Sequence, residues 1–334
     1  MAPFNKWLAV GAVAVSMALA NTAQAELKRI TIGSNPSGSV FFLLATGFAK
    51  LLQEKLKIKA TAQPHAGSSV YLPLMDTGEI TLGLNNSMDS VAAYTGKAPF
   101  KRTHKNVRAL ARVWVIPYGF MVKTSSGLTN VRQLRGKRVV TDIKSIVSLN
   151  MVNRAMLTSA GMTVKDVIEL NSGGIVRNVD MIIQGRADAA PVAYSMPAVR
   201  KAHATVPGGI TILRLDAGVN DAFMAQYAPG ARTIVVTPNK GRPMFKTDTL
   251  IAAFDTFFNA GKQVSNEDAY RFTKTLHENW KAINKAYAPT RSVKQAALAP
   301  ASNMHPYHDG AIKYYKEVGL WSAANAKQQA AVSK

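Results

Sequence analysis

Cysteine is absent from the 334-residue sequence, and this absence removes several kinds of chemistry. Disulfide bonds, thiolate nucleophiles, cysteine-bound zinc and a lipid anchor attached to a cysteine are all excluded. Long apolar runs are also lacking, because after the first 25 residues no stretch has the roughly eighteen uninterrupted apolar residues typical of a membrane span. We therefore expect the mature chain to be soluble and to be stabilised by its apolar core alone.

The first 25 residues have the pattern of a secretory signal. Lys6 precedes an apolar run over 7–20, and the tripeptide "AQA" at 23–25 has small residues at the two positions that signal peptidase reads. We predict a signal peptide over 1–25 that is cleaved after Ala25, leaving a periplasmic protein of 309 residues (334 − 25). An uncleaved membrane anchor is the alternative.

Acidic residues are scarce, with 19 Asp and Glu against 41 Lys and Arg, and the net charge is +22. Such a charge favours anionic partners. Nucleic acid is not predicted as a partner, because the basic residues are spread along the chain and the densest cluster, 131–138, has no interleaved aromatic residues. A small anion or an acidic membrane partner fits better, and surface solubility alone is the alternative explanation.

Segments typical of strands and of helices alternate along the chain, which predicts an α/β fold. The predicted strands cover residues 28–34, 58–64, 79–85, 107–115, 118–124, 136–142, 187–194, 210–216 and 232–238. The helices predicted between them cover residues 69–77, 87–94, 148–160 and 175–184. After residue 245 the pattern is helical, and it ends with a helix over 306–320.

No linker rich in glycine and serine separates the predicted elements, which suits two lobes joined by strands. The chain is expected to cross between lobes near 114–118 and to return near 235–240, where a proline interrupts each strand-like segment. The predicted division is a discontinuous domain 1 over 26–115 plus 238–320, domain 2 over 116–237 and a flexible tail over 321–334. A ligand is expected to lie in the cleft between the domains.

Six segments carry a resemblance to a known family. They are Gly33-Ser34 with Ser37-Gly38-Ser39 and Phe41-Phe42, "PHAGSSVYLPLM" (64–75), "GEITLG" (78–83), "LRGKRV" (134–139), "GRADAAPVAYSMP" (185–197) and "HPYHDGAIKYYKEVG" (305–319). With these six segments in this order, the chain resembles the TAXI family of TRAP-transporter solute receptors. The resemblance implies the two-lobed type II periplasmic-binding-protein fold, no enzymatic activity, and membrane subunits of a TRAP transporter as partners.

The same resemblance implies a small carboxylate ligand, such as glutamate or 2-oxoglutarate. Two departures from the family pattern bear on the ligand. Phe41 and Phe42 stand where the family often has tyrosine, and the loop "DIKSIVSLN" (142–150) lacks the glycines of the usual Pro-Gly-Ser-Gly-Thr. The exact acid is therefore left open.

Small polar residues follow three successive predicted strands of the first domain, just before helices. Helix amino ends carry unpaired N–H groups and a partial positive charge, so such loops hold anions without a buried cation. Ordinary helix capping is the alternative for any one of them. The predicted ligand-binding residues of this domain are Ser34, Asn35, Ser37, Ser39, Phe41, Gly67, Ser68, Asn85 and Ser87.

The second domain is expected to close over the ligand. Its predicted contacts are Tyr118, Lys144, Ser145, Ser148, Arg177 and Tyr194, with Arg177 gripping a carboxylate bidentately. A solvated surface arginine and packing tyrosines are the alternatives. His305 and His308 have a spacing that suits a metal pair, but helix capping or packing is favoured because no third ligand is nearby. A solvated loop position is favoured for His65.

The leading prediction is a monomeric receptor that delivers an organic anion to a transporter, with no cofactor and no metal. A sensory receptor of the same fold is one alternative. A periplasmic serine hydrolase is a less favoured one, because the sequence has no G-x-S-x-G elbow.

Overall fold

A computed structural model of the chain describes residues 27–334, so the predicted signal peptide and its cleavage site lie outside the described residues. Within this part of the chain, no helix is long and apolar enough to cross a membrane. The ten strands are β1 (Arg29–Ser34), β2 (Lys59–Pro64), β3 (Leu82–Asn86), β4 (Arg108–Lys123), β5 (Arg138–Ile143), β6 (Ile168–Ser172), β7 (Ala190–Ala193), β8 (Ile210–Ile212), β9 (Ala231–Val236) and β10 (Thr249–Ala260).

Eleven α-helices connect or follow the strands of the described residues. They are α1 (Val40–Leu56), α2 (Ser68–Thr77), α3 (Ser87–Thr95), α4 (Ser148–Thr158), α5 (Ile175–Ile183), α6 (Pro197–Thr205), α7 (Asp221–Tyr227), α8 (Asn266–Glu278), α9 (Trp280–Ala286), α10 (Asp309–Glu317) and α11 (Ala323–Val332). The predicted α/β alternation is therefore confirmed.

The strands form two lobes that share two long strands. In lobe 1 the order is β2-β1-β3-β10-β4, with β1 parallel to β2 and β3, and with β10 antiparallel to β3 and β4. In lobe 2, β5 and β6 are parallel, and β7 joins the far half of β4. Lobe 1 also contains α1–α3 and α8–α11, and lobe 2 also contains β8, β9 and α4–α7.

The two shared strands form the hinge. β4 and β10 pair from Arg108–Ala260 at one end to Tyr118–Ala252 at the other, so both strands run from one lobe into the other. The sequence prediction of a helical pattern after residue 245 is wrong for β10, which carries the chain back beside β4. Its sequence "TLIAAFDTFFNA" is buried on both faces, and a buried strand of this kind lacks the alternation that identifies a strand. The division of the domains at 115/116 and 237/238 stays a prediction.

The carboxyl-terminal segment differs from its sequence prediction. Residues 321–334, expected to form a frayed tail, contain α11, which begins with a capping box between Ser322 and Asn325. The Asn325 side chain is buried and donates a hydrogen bond from Nδ2 to the carbonyl oxygen of Ala299 at 2.9 Å. The cap satisfies the amino end of the helix, and the buried amide attaches the segment to lobe 1.

Candidate functional site

Helix amino ends from both lobes meet at the front of the hinge strands. In lobe 1, β1 leads to α1 and β3 leads directly to α3, while in lobe 2, β5 leads to α4 and β6 leads to α5. A cavity of about 40 Å³ lies where these ends face each other. Its lining residues are Asn35, Ser39, Val40, Phe41, Asn86, Trp114, Ile116, Tyr118, Ile146, Leu149, Ile175, Ala193, Met196 and Phe254.

Apolar and aromatic side chains form most of the wall of this cavity. Phe41 meets Trp114 edge to face at a ring-centroid distance of 6.1 Å, and Tyr118 meets Phe254 in the same way at 5.4 Å. The lining contains no Lys, Arg, Asp or Glu. The Tyr118 hydroxyl donates to Asn153 Oδ1 at 3.0 Å, and complete burial raises the pKa of Tyr118 well above its usual value. The site therefore combines an apolar body with a few amide and hydroxyl groups.

The polar lining residues are only partly satisfied within the protein. Ser39 caps α1, where its Oγ accepts a hydrogen bond from the Phe42 N–H at 3.1 Å. Asn86 caps α3 in the same way, accepting from the Asp89 N–H at 2.8 Å. Asn35 is buried, and its Oδ1 has no hydrogen-bond partner among the described residues. Because a buried polar atom without a partner is costly, Asn35 is the lining residue most in need of a ligand group.

A buried carboxyl group lies directly behind the lining. Asp89 receives hydrogen bonds from the Ser68 hydroxyl and, at 2.9 Å, from Asn86 Nδ2, while its Oδ1 has no partner among the described residues. Burial raises the pKa of Asp89, and the hydrogen bonds from Ser68 and Asn86 partly oppose that rise. Asp89 is not among the predicted site residues, although an asparagine followed three residues later by an acid is a visible capping signal.

Direct hydrogen bonds hold the two lobes together beside the cavity. The Ser69 N–H of lobe 1 donates to the carbonyl oxygen of Ser145 at 3.2 Å, and the Val147 N–H of lobe 2 donates to Ser69 Oγ at 3.3 Å. Ser148 Oγ donates to Asn86 Oδ1 at 3.4 Å. These contacts join the loop before α2 and the cap of α3 to the loop before α4. The lobes are therefore closed on each other.

The structure brings most of the predicted site residues to this region. Four line the cavity, namely Asn35, Ser39, Phe41 and Tyr118. Seven are buried in the flanking loops and helix starts without lining it, namely Ser34, Gly67, Ser68, Asn85, Ser87, Ser145 and Ser148. Four lie elsewhere: Ser37, Lys144 and Arg177 are exposed, and Tyr194 lines a different groove.

Helix geometry explains the position of Arg177. The buried face of α5 contains Ile175, Val179 and Ile182, and Arg177 lies on the opposite face, 48% exposed, within 4.0 Å of Asp180. Arg177 does not line the cavity in this closed arrangement, and its bidentate contact with a ligand stays a prediction. Tyr194 packs edge to face on Phe245 at 4.9 Å instead of covering the cavity.

The apolar lining was the part of the site that the sequence analysis missed. Ile116 and Tyr118 alternate along β4 and point to the cavity, and Trp114, two residues before Ile116, lines it as well. That alternation was the available signal. The other unpredicted lining residues are Val40, Ile146, Leu149, Ile175, Ala193, Met196 and Phe254.

The histidines have structural roles. His308 caps α10, accepting from the Gly310 N–H at 3.3 Å, which confirms the capping prediction. His305 is buried with Nε2 2.8 Å from Asn259 Oδ1, and burial lowers its pKa to about 3. His65 is partly buried against Tyr71 at a centroid distance of 5.5 Å. Residues 27–334 contain no group of three or more His, Cys, Asp or Glu side chains that could hold a metal ion.

Comparison with known proteins gives a family and a fold. The chain matches the NMT1-like family over residues 32–319. No curated protein sequence matches it. A solved structure described as a periplasmic transporter is similar with a TM-score of 0.54 and 10% identity, over 92% of this chain and 96% of that one.

Two more solved structures are similar at lower scores. The alkanesulfonate-binding protein SsuA from Xanthomonas axonopodis pv. citri, bound to MOPS, has a TM-score of 0.48 and 16% identity over 90% of this chain and 94% of its own. PhnD1 from Prochlorococcus marinus (MIT 9301), in complex with methylphosphonate, has a TM-score of 0.48 and 12% identity over 87% and 90%. The predicted α/β, two-lobed fold of the periplasmic binding proteins is confirmed.

Proposed function

This chain belongs to the NMT1-like family, and from that premise we propose that it is an extracytoplasmic solute receptor. It captures a small organic acid between its lobes and delivers the acid to a membrane transporter. The observation that carries the proposal is the cavity itself, which lies between two closed lobes, at helix amino ends, in front of two shared hinge strands.

The proposed ligand is a carboxylate with an apolar carbon skeleton. Its head group would accept a hydrogen bond from Asn35 Nδ2 and would lie at the loops before α1 and α3, where the dipoles of those helices stabilise its charge, since no cation lines the cavity. Its carbon skeleton would pack among Phe41, Trp114 and Phe254. At about 40 Å³ the closed cavity has room for only a few water molecules, so the lobes must part to admit the acid.

The proposed partner is the membrane part of a TRAP transporter, and its support is the resemblance of the six sequence segments to TAXI receptors. Reconstitution would test this: the receptor should stimulate uptake of its ligand by vesicles containing TRAP membrane subunits. A receptor that binds ligand but stimulates no uptake would favour the sensory alternative. The hydrolase alternative has less support, because Ser37 is exposed and no His hydrogen-bonds to it within the described residues.

A thermal-shift panel on the mature protein tests the ligand class. Organic acids of increasing apolar size are compared with neutral sugars and with amines. A ligand at 100 times its dissociation constant should stabilise the protein by about 2.7 kcal/mol. Shifts with sugars or amines and none with acids would contradict the proposal.

Two variants locate the binding in the cavity. Asn35→Leu should weaken acid binding about tenfold, because it removes a polar contact and leaves the carboxylate less well paired. Arg177→Ala should leave the affinity nearly unchanged, since the side chain lies outside the cavity. The opposite pattern would return Arg177 to the site, as the sequence prediction had it.

A further inference from the structure

A large groove lies behind the hinge strands, on the side opposite the cavity. Val115 and Pro117 of β4 point into it, one residue out of phase with the cavity-lining side chains. Its volume is about 550 Å³. The residues that line this rear groove are Trp114, Val115, Pro117, Tyr194, Ser195, Arg200, Arg232, Ile234, Val235, Val236, Asn239, Gly241, Arg242, Ala288, Pro289, Arg291 and Ser292.

Four arginines and no acidic residue line the rear groove. Arg232 is neutralised, because it donates to Asp255 Oδ1 at 2.8 Å. Arg200, Arg242 and Arg291 have no carboxylate partner among residues 27–334. Three guanidinium groups therefore face one concave surface with their charges uncompensated by the protein.

Two of these three guanidinium groups are held in place by backbone carbonyl groups. Arg291 donates from Nε to the Asn284 oxygen at 2.8 Å and from Nη2 to the Lys285 oxygen at 3.1 Å. Arg242 donates from Nη1 to the Thr237 oxygen at 3.3 Å. Each keeps further N–H donors unused, and fixing a guanidinium beforehand reduces the entropy lost when it binds an anion.

Tyr194 lines the rear groove together with Arg200 and Arg242. Its ring packs on Phe245, and partial burial raises the pKa of its hydroxyl, while the charges of Arg242 and Arg200 act to lower it. The phenol and the two arginines therefore belong to one groove.

We propose that the rear groove is a second binding site, specific for a small oxyanion with two or more negative charges. Arginine forks match the paired oxygens of phosphate and carboxylate groups, and several forks around one groove favour a multivalent anion over a monovalent one. The site is separate from the cavity, so it does not depend on the organic acid proposed above.

The rear groove also joins the two lobes. Arg291 lies in the lobe 1 segment 288–292, which is attached to β4 by the hydrogen bond from the Val115 N–H to Ser292 Oγ at 3.0 Å. Arg200 lies on α6 of lobe 2. An anion that bridges them would connect the lobes behind the hinge, so its binding is expected to change the affinity of the cavity for its ligand.

Calorimetric titration at low ionic strength tests the site, with pyrophosphate and citrate as separate probes. We expect saturable binding of at least one, with pyrophosphate binding tighter if phosphate groups are preferred and citrate if carboxylates are. Arg200→Gln/Arg242→Gln should weaken that binding about tenfold or more. Arg186→Gln/Arg214→Gln is the matched control, because these exposed arginines lie outside the groove and their loss changes the net charge equally.

The control shows whether the anions bind to a specific site in the rear groove or are attracted by the general positive charge of the protein. Equal loss of binding in both double variants, or no binding of either probe to the wild type, would overturn the proposal. If the first double variant folds poorly by circular dichroism, Arg200→Glu replaces it. Arg200 is exposed and its side chain has no hydrogen-bonding partner among the described residues, so this change should remove anion binding without unfolding the protein.

Discussion

The front and the back of the hinge strands have opposite chemistry, although both faces belong to the same two strands. Ile116, Tyr118 and Phe254 face a small aromatic cavity without charges, whereas Val115 and Asp255, their neighbours in sequence, face the side of the arginine groove. Because side chains alternate along a strand, one strand pair can present two unrelated surfaces. A hinge can therefore bear two binding sites that respond to the same motion.

The two sites are also expected to differ in their dependence on salt. All residues that line the cavity are buried, and binding there depends on the exclusion of water and on fixed dipoles. The rear groove is open to solvent, and its attraction for anions comes from exposed charges, which salt screens over about 8–10 Å at physiological ionic strength.

The largest effect is a loss of affinity for the cavity ligand, expected from Gly67→Ala at the front of the hinge strands. A Cβ at Gly67 in lobe 1 would lie 2.2 Å from the backbone oxygen of Ser145 in lobe 2, so the lobes could not close as they do. The backbone angle φ of 175° is extended and suits any residue, so the clash between lobes is the whole effect. Affinity for the cavity ligand should fall about 100-fold, because closure is coupled to binding.

A nearby glycine provides the control for that variant. Gly173 is exposed, and a Cβ there would meet nothing within 4 Å. Gly173→Ala should therefore keep the affinity within about twofold, a difference of a few tenths of a kcal/mol. Calorimetric titration of both variants checks the expectation. Equal affinities would mean that ligand binding does not need this closed arrangement.

The next largest effect is a loss of stability, expected from Asp255→Asn at the back of the hinge strands. The Asp255 carboxylate, 12% exposed, is shared by Arg232 at 2.8 Å and Arg112 at 3.4 Å. Removing its charge leaves two poorly solvated guanidinium groups unpaired, and we expect the free energy of unfolding to fall by about 2 kcal/mol. Urea denaturation measures this change, while affinity for the cavity ligand should stay the same.

An exposed ion pair gives the reference for this loss. Asp180 lies 4.0 Å from Arg177, and both side chains are nearly half exposed. Asp180→Asn should change the free energy of unfolding by less than about 0.5 kcal/mol, because exposed pairs are screened by water and salt. A similar loss in both variants would show that Asp255 has no special role in stabilising the back of the hinge.

Local patterns explain which parts of this molecule the sequence predicted. The strand over 28–34 follows from the local sequence pattern, and the structure has β1 there. The small polar loops at 34–39 and 85–87 were expected beside the ligand, and Asn35 and Ser39 of the first loop line the cavity. Signals of this kind lie within a few residues of the feature that they predict.

Features set by tertiary packing were not predicted. β10 is apolar on both faces, so its sequence has no period that separates a strand from a buried helix. Arg177 and Tyr194 have suitable chemistry for a ligand, but the packed face of α5 and the ring of Phe245 direct them away from the cavity. Which side chains converge depends on how distant elements pack, and a single sequence does not encode that in any short motif.

The smallest expected effect is a change with pH in the affinity of the cavity for its ligand, with no such change at the rear groove. Burial raises the pKa of Asp89 above the ordinary carboxyl value of 3.8, so the folded protein keeps this proton at a pH where an exposed carboxyl has lost it. The contribution of protonated Asp89 to the stability of the folded protein is complete when the pH is below the ordinary carboxyl pKa. This contribution is lost as the pH rises through the raised pKa of the folded state. Ionised Asp89 also repels a carboxylate held near Asn86. Affinity for the acid should therefore fall about two- to fivefold as the pH rises through that value.

Asp89→Asn should make the affinity of the cavity independent of pH, because an amide does not titrate over this range. The rear groove should show no such change with sulfate as the probe, since its arginines stay charged at every pH in the range. Titrations from about pH 4, where an ordinary carboxyl group ionises, up to about pH 8, with an acid that stays ionised throughout, make the comparison. If the affinity of Asp89→Asn still changes with pH, the titrating group is not Asp89. A slope at the groove would mean that the two sides of the hinge are not electrostatically separate.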